Sequence, residues 1–279
     1  MKSILVPIEN IEGMTSTLET ALLLARLRGS YIEGFPLRFA ISEFIAIDPA
    51  GSIPLETYRQ DSLEEAAAAQ RMFEAFMQER NVPRASGPTS GLSFGWLDNA
   101  PAGESFVGSY GRVFDVTVLM RPNANTVGLH NRAIESSLFE SGRAVLLAPP
   151  TPPAQIGTTV MVHWNGSPEQ ARTTAFAMPL LREARRVIVL SVVGGQGVPG
   201  PSAEQKVTQL RRNGVAAELM NVGLEGRSTG ERVLAAAKAQ GCDLLVKGAY
   251  TQSRLRQMIF GGTTSHILAN AELPVLMAH

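Results

Sequence analysis

Near its C-terminal end the chain runs Asp243-Leu244-Leu245-Val246-Lys247-Gly248, and a glycine pair, Gly261-Gly262, later precedes Thr263-Thr264-Ser265. An apolar strand ending in glycine, followed by a helix that opens among glycines and hydroxyls, is a way to hold an anion. Glycine lets backbone approach a ligand without a Cβ, and the first helical turn offers unpaired N–H groups at its positive end. Thr251 stands between the two glycine positions; its hydroxyl can donate to an oxygen, although its Cβ occupies space that bare backbone would leave open. Thr263 and Thr264 supply two more hydroxyls. Residues at the ends of other apolar runs are expected to converge here, namely His163 and Asn165 after Val160-Met161-Val162, and Val192 before Val193-Gly194. Asn165-Gly166 also suits a tight turn, and Ser167 the cap of a helix beginning at Pro168, so these residues can serve structure and ligand together.

The positions Gly248, Thr251, Gly261 and Gly262 resemble the nucleotide loop of the universal stress protein family, written G-x-x-G, nine residues, then G-[S/T]. Gly248 and Gly261 take the first and third glycine places, with Gln252 to Phe260 as the spacer. Thr251 stands at the second glycine and Gly262 at the Ser/Thr, which shifts the hydroxyl to Thr263 or Thr264. The resemblance extends over the C-terminal half and, more weakly, over the N-terminal half. It implies two tandem Rossmann-like domains of the adenine nucleotide alpha hydrolase-like kind, each a five-stranded parallel sheet with helices on both faces. It also implies ATP or another adenine nucleotide as the ligand, held by His163, Asn165, Val192, Gly248, Thr251, Gly261, Gly262, Thr263 and Thr264. Asn165 falls where the family carries an acid near adenine and ribose, so it brings hydrogen bonds without charge. Magnesium is expected only as a companion of bound phosphate. The role so implied is sensing or regulation in a stress response rather than catalysis, with weak ATPase activity as the upper bound. The alternative is an interaction protein that keeps the fold and binds no nucleotide.

These residues need a parallel sheet behind them, and the patterning supplies one. In the C-terminal half, apolar runs at 158–164, 187–193, 216–221, 243–248 and 274–278 alternate with helical patterns near 168–184, 202–213, 228–241 and 262–270. Strands alternating with helices call for an α/β sheet covered on both faces, with ligands beyond the carboxyl ends of the strands at the switch point. Ser228 with Glu231 forms a capping box, and Gly241 ends that helix. The N-terminal half repeats the order: Ser3 to Glu9 matches Thr159 to Asn165, Asp115 to Met120 matches Asp243 to Gly248, and Ala144 to Pro149 matches Pro274 to His279. A period this long is domain duplication. The expected domains are 1–150 and 151–279, joined by Pro149-Pro150-Thr151-Pro152-Pro153, which cannot continue a strand or helix. The last strands of the two halves are expected to lie side by side.

The N-terminal half reads as a scaffold. Met120 and Asn123 stand opposite Gly248 and Thr251, and Asn131 and Arg132 opposite Gly261 and Gly262, so no glycine loop survives there. Glu9 keeps an acid after the first strand but reads as a solvated strand end. A helix over 61–80 carries Leu63, Ala66, Ala67, Gln70, Phe73 and Met77 as core lining. The extra segment Ile41 to Pro54 is apolar for a connector and is expected to cover a core edge or meet a protein partner.

Lysine plus arginine and aspartate plus glutamate each number 25, giving a formal net charge of zero and no basic footprint for nucleic acid or an anionic membrane. The single cysteine, Cys242, excludes an intrachain disulfide and a cysteine-rich metal site. His163, His266 and His279 are too scattered to read as metal ligands, and Trp164 reads as core rather than an adenine stack. Hydrolase elbows, Walker loops and H-E-x-x-H helices are missing from the sequence. Without a secretory leader or a spanning run the expected location is cytoplasmic, and a homodimer remains open.

Overall fold

The computed structural model describes residues 1–9, 13–41, 45, 54–87, 91–122, 128–195, 197–250 and 262–279. Strand and helix alternate as the patterning requires. The chain runs β1 (Ser3–Ile8), α1 (Met14–Arg28), β2 (Tyr31–Pro36), α2 (Leu55–Glu79), β3 (Ser93–Trp96), α3 (Glu104–Gly111), β4 (Val116–Met120), α4 (Leu129–Glu140) and β5 (Ala144–Ala148). It continues through β6 (Thr159–His163), α5 (Pro168–Leu181), β7 (Arg186–Val193), α6 (Ala203–Arg212), β8 (Ala217–Gly223), α7 (Thr229–Ala239), β9 (Leu244–Gly248), α8 (Gly262–Asn270) and β10 (Val275–Ala278). Each half therefore contributes five strands by chain order. Contacts divide the molecule into two compact units, the first with β1 to β4 and α1 to α4, the second with β5 to β10 and α5 to α8.

In unit 1 the strands lie in the order β3-β2-β1-β4, all parallel, with Ile4 beside Ile32 on one side and Val116 on the other. Unit 2 orders its parallel strands β8-β7-β6-β9-β10, and β5 joins antiparallel at the β10 edge, Leu146 opposite Leu276. The last strand of the N-terminal half thus pairs with the last strand of the C-terminal half, as expected, and covers an edge that would otherwise expose unpaired backbone groups. The strand order reverses between β1 and β4 in one unit and between β6 and β9 in the other. Loops that leave those strands at their carboxyl ends are where a ligand site belongs.

Continuous apolar strands hold both sheets because both faces are covered. Ile4, Leu5 and Val6 in β1 and Val160, Met161 and Val162 in β6 are fully buried, and each such side chain contributes about 1.5–3 kcal/mol relative to exposure. The duplication also repeats a polar device. Asp115 accepts from the Ser3 N–H at 3.1 Å, and Asp243 accepts from the Thr158 and Thr159 N–H groups at 2.9 and 3.2 Å. Each aspartate ties the start of one central strand to the start of its neighbour. Helix ends follow their residue types: Ser167 caps α5 through the Gln170 N–H, and Ser202 and Ser228 form capping boxes with Gln205 and Glu231.

Helix α2 departs from the sequence reading. It starts at Leu55 rather than residue 61, and it buries Ser62, Ala69, Phe73, Phe76 and Met77. Phe73 and Met77 are core as expected, but Leu63 is 61% exposed and Ala67 lies on the solvent side. The first turns of the helix are largely exposed, so apolar spacing does not report burial there. Of the segment Ile41 to Pro54, only Ile41, Ile45 and Pro54 fall among the described residues, and all three are exposed.

Candidate functional site

At the carboxyl end of β6 the chain makes a tight turn. Gly166 adopts φ +80°, and the Asn165 side-chain oxygen accepts from the Ser167 N–H at 3.2 Å, an Asx turn that leads into the capped α5. The turn and cap expected of Asn165 and Ser167 are both present. The loop after β7 crosses this end: Val198 N–H donates to Asn165 O at 3.1 Å, and Trp164 Nε1–H donates to Pro201 O at 2.8 Å. Trp164 is buried, with the Lys206 ammonium 5.0 Å from its ring centre, which fits its reading as core. Val192 is the second-last residue of β7, its carbonyl accepting from Gly195 N–H in the turn.

Gly248 ends β9 against the start of α5. A Cβ there would lie 2.5 Å from Gln170 N and 2.8 Å from the Glu169 carbonyl carbon, so glycine is what lets this strand meet that helix. Its N–H donates to the Gln170 side-chain oxygen. The first glycine of the loop is therefore occupied in packing and hydrogen bonding. Its neighbour Lys247 points to the opposite face, as strand alternation requires. The Lys247 ammonium donates to Gly248 O and to Thr264 Oγ1, each at 2.7 Å, although the side chain lies on a strand and is only 5% exposed. Burial pulls its pKa down from the ordinary lysine value to about 7. Among the described residues it has no carboxylate partner.

Gly262 opens α8 at φ +75°, with Thr263 and Thr264 buried in the first turn. His163 stands on β6 one step beyond the Val162–Val246 pair, beside Lys247. It is buried, and desolvation first, then the Lys247 charge, pushes its pKa down to about 3, so it is neutral at ordinary pH. The structure thus brings together His163, Lys247, Gly248, Gly262, Thr263 and Thr264 around the β6 and β9 ends, with Asn165 turning away into its cap. Thr251 and Gly261 lie outside the described residues. Lys247 was not singled out from the sequence, where Leu-Leu-Val-Lys-Gly reads simply as the end of an apolar strand. A charged residue within such a run was the available signal.

The corresponding end of unit 1 is filled differently. Glu9 is buried rather than solvated, 8% exposed, and its carboxylate lies 2.6 Å from His130 Nδ1. His130 Nε2 contacts Met120 O at 2.9 Å, so both ring nitrogens are engaged. The reading of Glu9 as a solvated strand end fails because its partner sits 121 residues away. Helix α4 begins at Leu129 and α8 at Gly262, so the helix starts place Gly128 and Leu129, not Asn131 and Arg132, opposite Gly261 and Gly262. The Met120 sulfur lies 2.2 Å from where a Cβ on Gly13 would stand, at a residue with φ +93°, so Met120 packs directly on that backbone.

Comparison with known proteins gives a family match for part of the chain and a fold for the whole. Residues 158–279 match the model of the universal stress protein family. No curated protein matches the chain. A universal stress protein from Archaeoglobus fulgidus superimposes with a TM-score of 0.72 at 13% identity, covering 99% of this chain and 95% of its own. A functionally unknown protein from Pseudomonas aeruginosa superimposes with a TM-score of 0.52 at 15% identity, covering 100% of this chain and 92% of its own. At such identities these likenesses establish the architecture, two Rossmann-like halves in tandem. Among the described residues no helix is long and apolar enough to cross a membrane.

Proposed function

Because residues 158–279 match the model of the universal stress protein family, we propose that the protein binds an adenine nucleotide, ATP foremost, at the β6 and β9 ends of unit 2. The family and the fold support a role in the stress response. The observation that carries the nucleotide reading is the start of α8 beside the switch point, where Gly262, Thr263 and Thr264 present a helix N-terminus at the end of β9. Backbone N–H groups and hydroxyls in that place suit phosphate oxygens. The role is sensing or regulation, with magnesium entering only alongside bound phosphate.

The test is to purify the full chain without added nucleotide, denature it, and identify what is released by mass spectrometry, then to titrate emptied protein with labelled ATP. Saturation at one ATP per chain is expected, since unit 1 closes its equivalent end with Glu9, His130 and Met120. Two per chain would show that unit 1 has been misread, and none would leave the second reading. That reading is a protein-interaction role through the surface near the 41–54 segment, and the exposure of Phe39, Ile41, Ile45 and Leu55 favours it. A homodimer formed through that surface is one form it takes.

A further inference from the structure

We propose that Lys247 supplies the counter-charge for the phosphate of the unit 2 ligand, an assignment that rests on the nucleotide reading above. A buried ammonium is costly unless an anion faces it. Among the described residues both groups Lys247 reaches, Gly248 O and Thr264 Oγ1, are neutral, so two of its donors are satisfied while no opposite charge faces it. The ammonium also sits at the positive end of α8, where helix and lysine favour the same negative ligand and disfavour each other's company without one. The sequence between the described residues of β9 and α8 adds no acid, since residues 251–261 contain arginines at 254 and 256 and no aspartate or glutamate.

Two further groups point to a ligand. Thr264 Oγ1 accepts from Lys247, and among the described residues its own proton is given to no acceptor, so the hydroxyl is left to donate. His163, nine-tenths buried and beside Lys247 on the next strand, makes no hydrogen bond among the described residues. Meanwhile the Gly248 N–H, which a glycine loop would offer to phosphate, is taken by Gln170. Lys247 and Thr264 therefore replace a backbone donor with a charged and a hydroxyl donor. The duplication shows that the fold does not need the lysine: Leu119 stands at the matching place on β4, fully buried.

That correspondence supplies the experiment. Lys247→Leu and, as a second variant, Lys247→Met are compared with wild type for binding of ATP, adenosine and inorganic phosphate by calorimetry, with thermal melts of each free protein. Loss of a charge-assisted contact should weaken ATP binding about 10-fold or more, leave adenosine binding unchanged, and raise the melting temperature of the free protein. Phosphate binding to wild type that both variants lose, with neither ATP nor adenosine bound, would remove the nucleotide reading while supporting the role of Lys247 toward phosphate. ATP affinity unchanged in both variants, or equal weakening of ATP and adenosine, would overturn the assignment, as would the absence of all binding to wild type.

Discussion

The two switch points of this molecule descend from one pattern and have been filled in opposite ways. At the carboxyl ends of β1 and β4, an acid and an imidazole satisfy each other, and Met120 packs onto Gly13. At the ends of β6 and β9, a buried ammonium meets only neutral oxygens among the described residues, and a helix start with two threonines lies beside it. One end is electrostatically complete within the protein. The other has a buried lysine with no carboxylate partner among the described residues, so sequence duplication does not entail two equal ends.

Breaking the closed end should give the largest effect. Glu9→Ala or His130→Ala leaves a buried polar group without its partner, and removing one member of such a pair costs about 3–5 kcal/mol. Urea denaturation should show the loss in the transition that reports unit 1, with ATP binding by the remaining folded protein unaltered. A loss below about 1 kcal/mol would mean that water replaces the missing partner and that the end is more open than its burial indicates.

Gly248 tests the packing of the open end. Gly248→Ala places a Cβ 2.5 Å from Gln170 N, and backbone is the neighbour that yields least. Overpacking of this kind costs about 1–3 kcal/mol, read as a lowered melting temperature. If stability is unchanged and only nucleotide binding falls, the glycine serves the ligand rather than the contact with α5.

The smallest effect is a pH dependence that distinguishes the units. Lys247 titrates at about 7 in the folded protein against an ordinary value of 10.5, so between these the unfolded chain binds more protons and stability rises with pH. His163, at about 3 against 6.5, makes stability fall as pH drops from about 6.5 toward 3 by the same rule. Melts of wild type and Lys247→Leu between about pH 7 and 9 should show a steeper rise in the first than in the second, where Lys206, whose pKa burial also lowers, keeps its part. That window stays below the range where Tyr31 and Tyr110 matter, whose pKa values burial and then Glu33 push up. A rise of the same size in the variant would assign the slope to another group.

Local information in the sequence was enough for much of this. Alternating apolar runs and helical periods gave the α/β class, the repeat of Asp115 and Asp243 matched two strands that carry the same capping bonds, and Ser228 with Glu231 fixed a helix start. The family resemblance of the C-terminal half lay in its glycine spacing. Such features are legible because they depend on neighbours a few residues away or on the same pattern occurring twice.

What the sequence alone could not decide was how distant groups answer one another. Glu9 looks solvated until His130 arrives from 121 residues away. Gly248 looks like a phosphate contact until the start of α5 is seen to lie against it. Leu63 has the spacing of a core residue and lies 61% exposed in the first half of its helix. Lys247 is one letter in an apolar run, and only the fold removes water from its ammonium and leaves it facing Thr264. Burial and partnership are properties of the assembled chain, because the cost of a charge depends on everything that surrounds it, whereas period and propensity are written residue by residue.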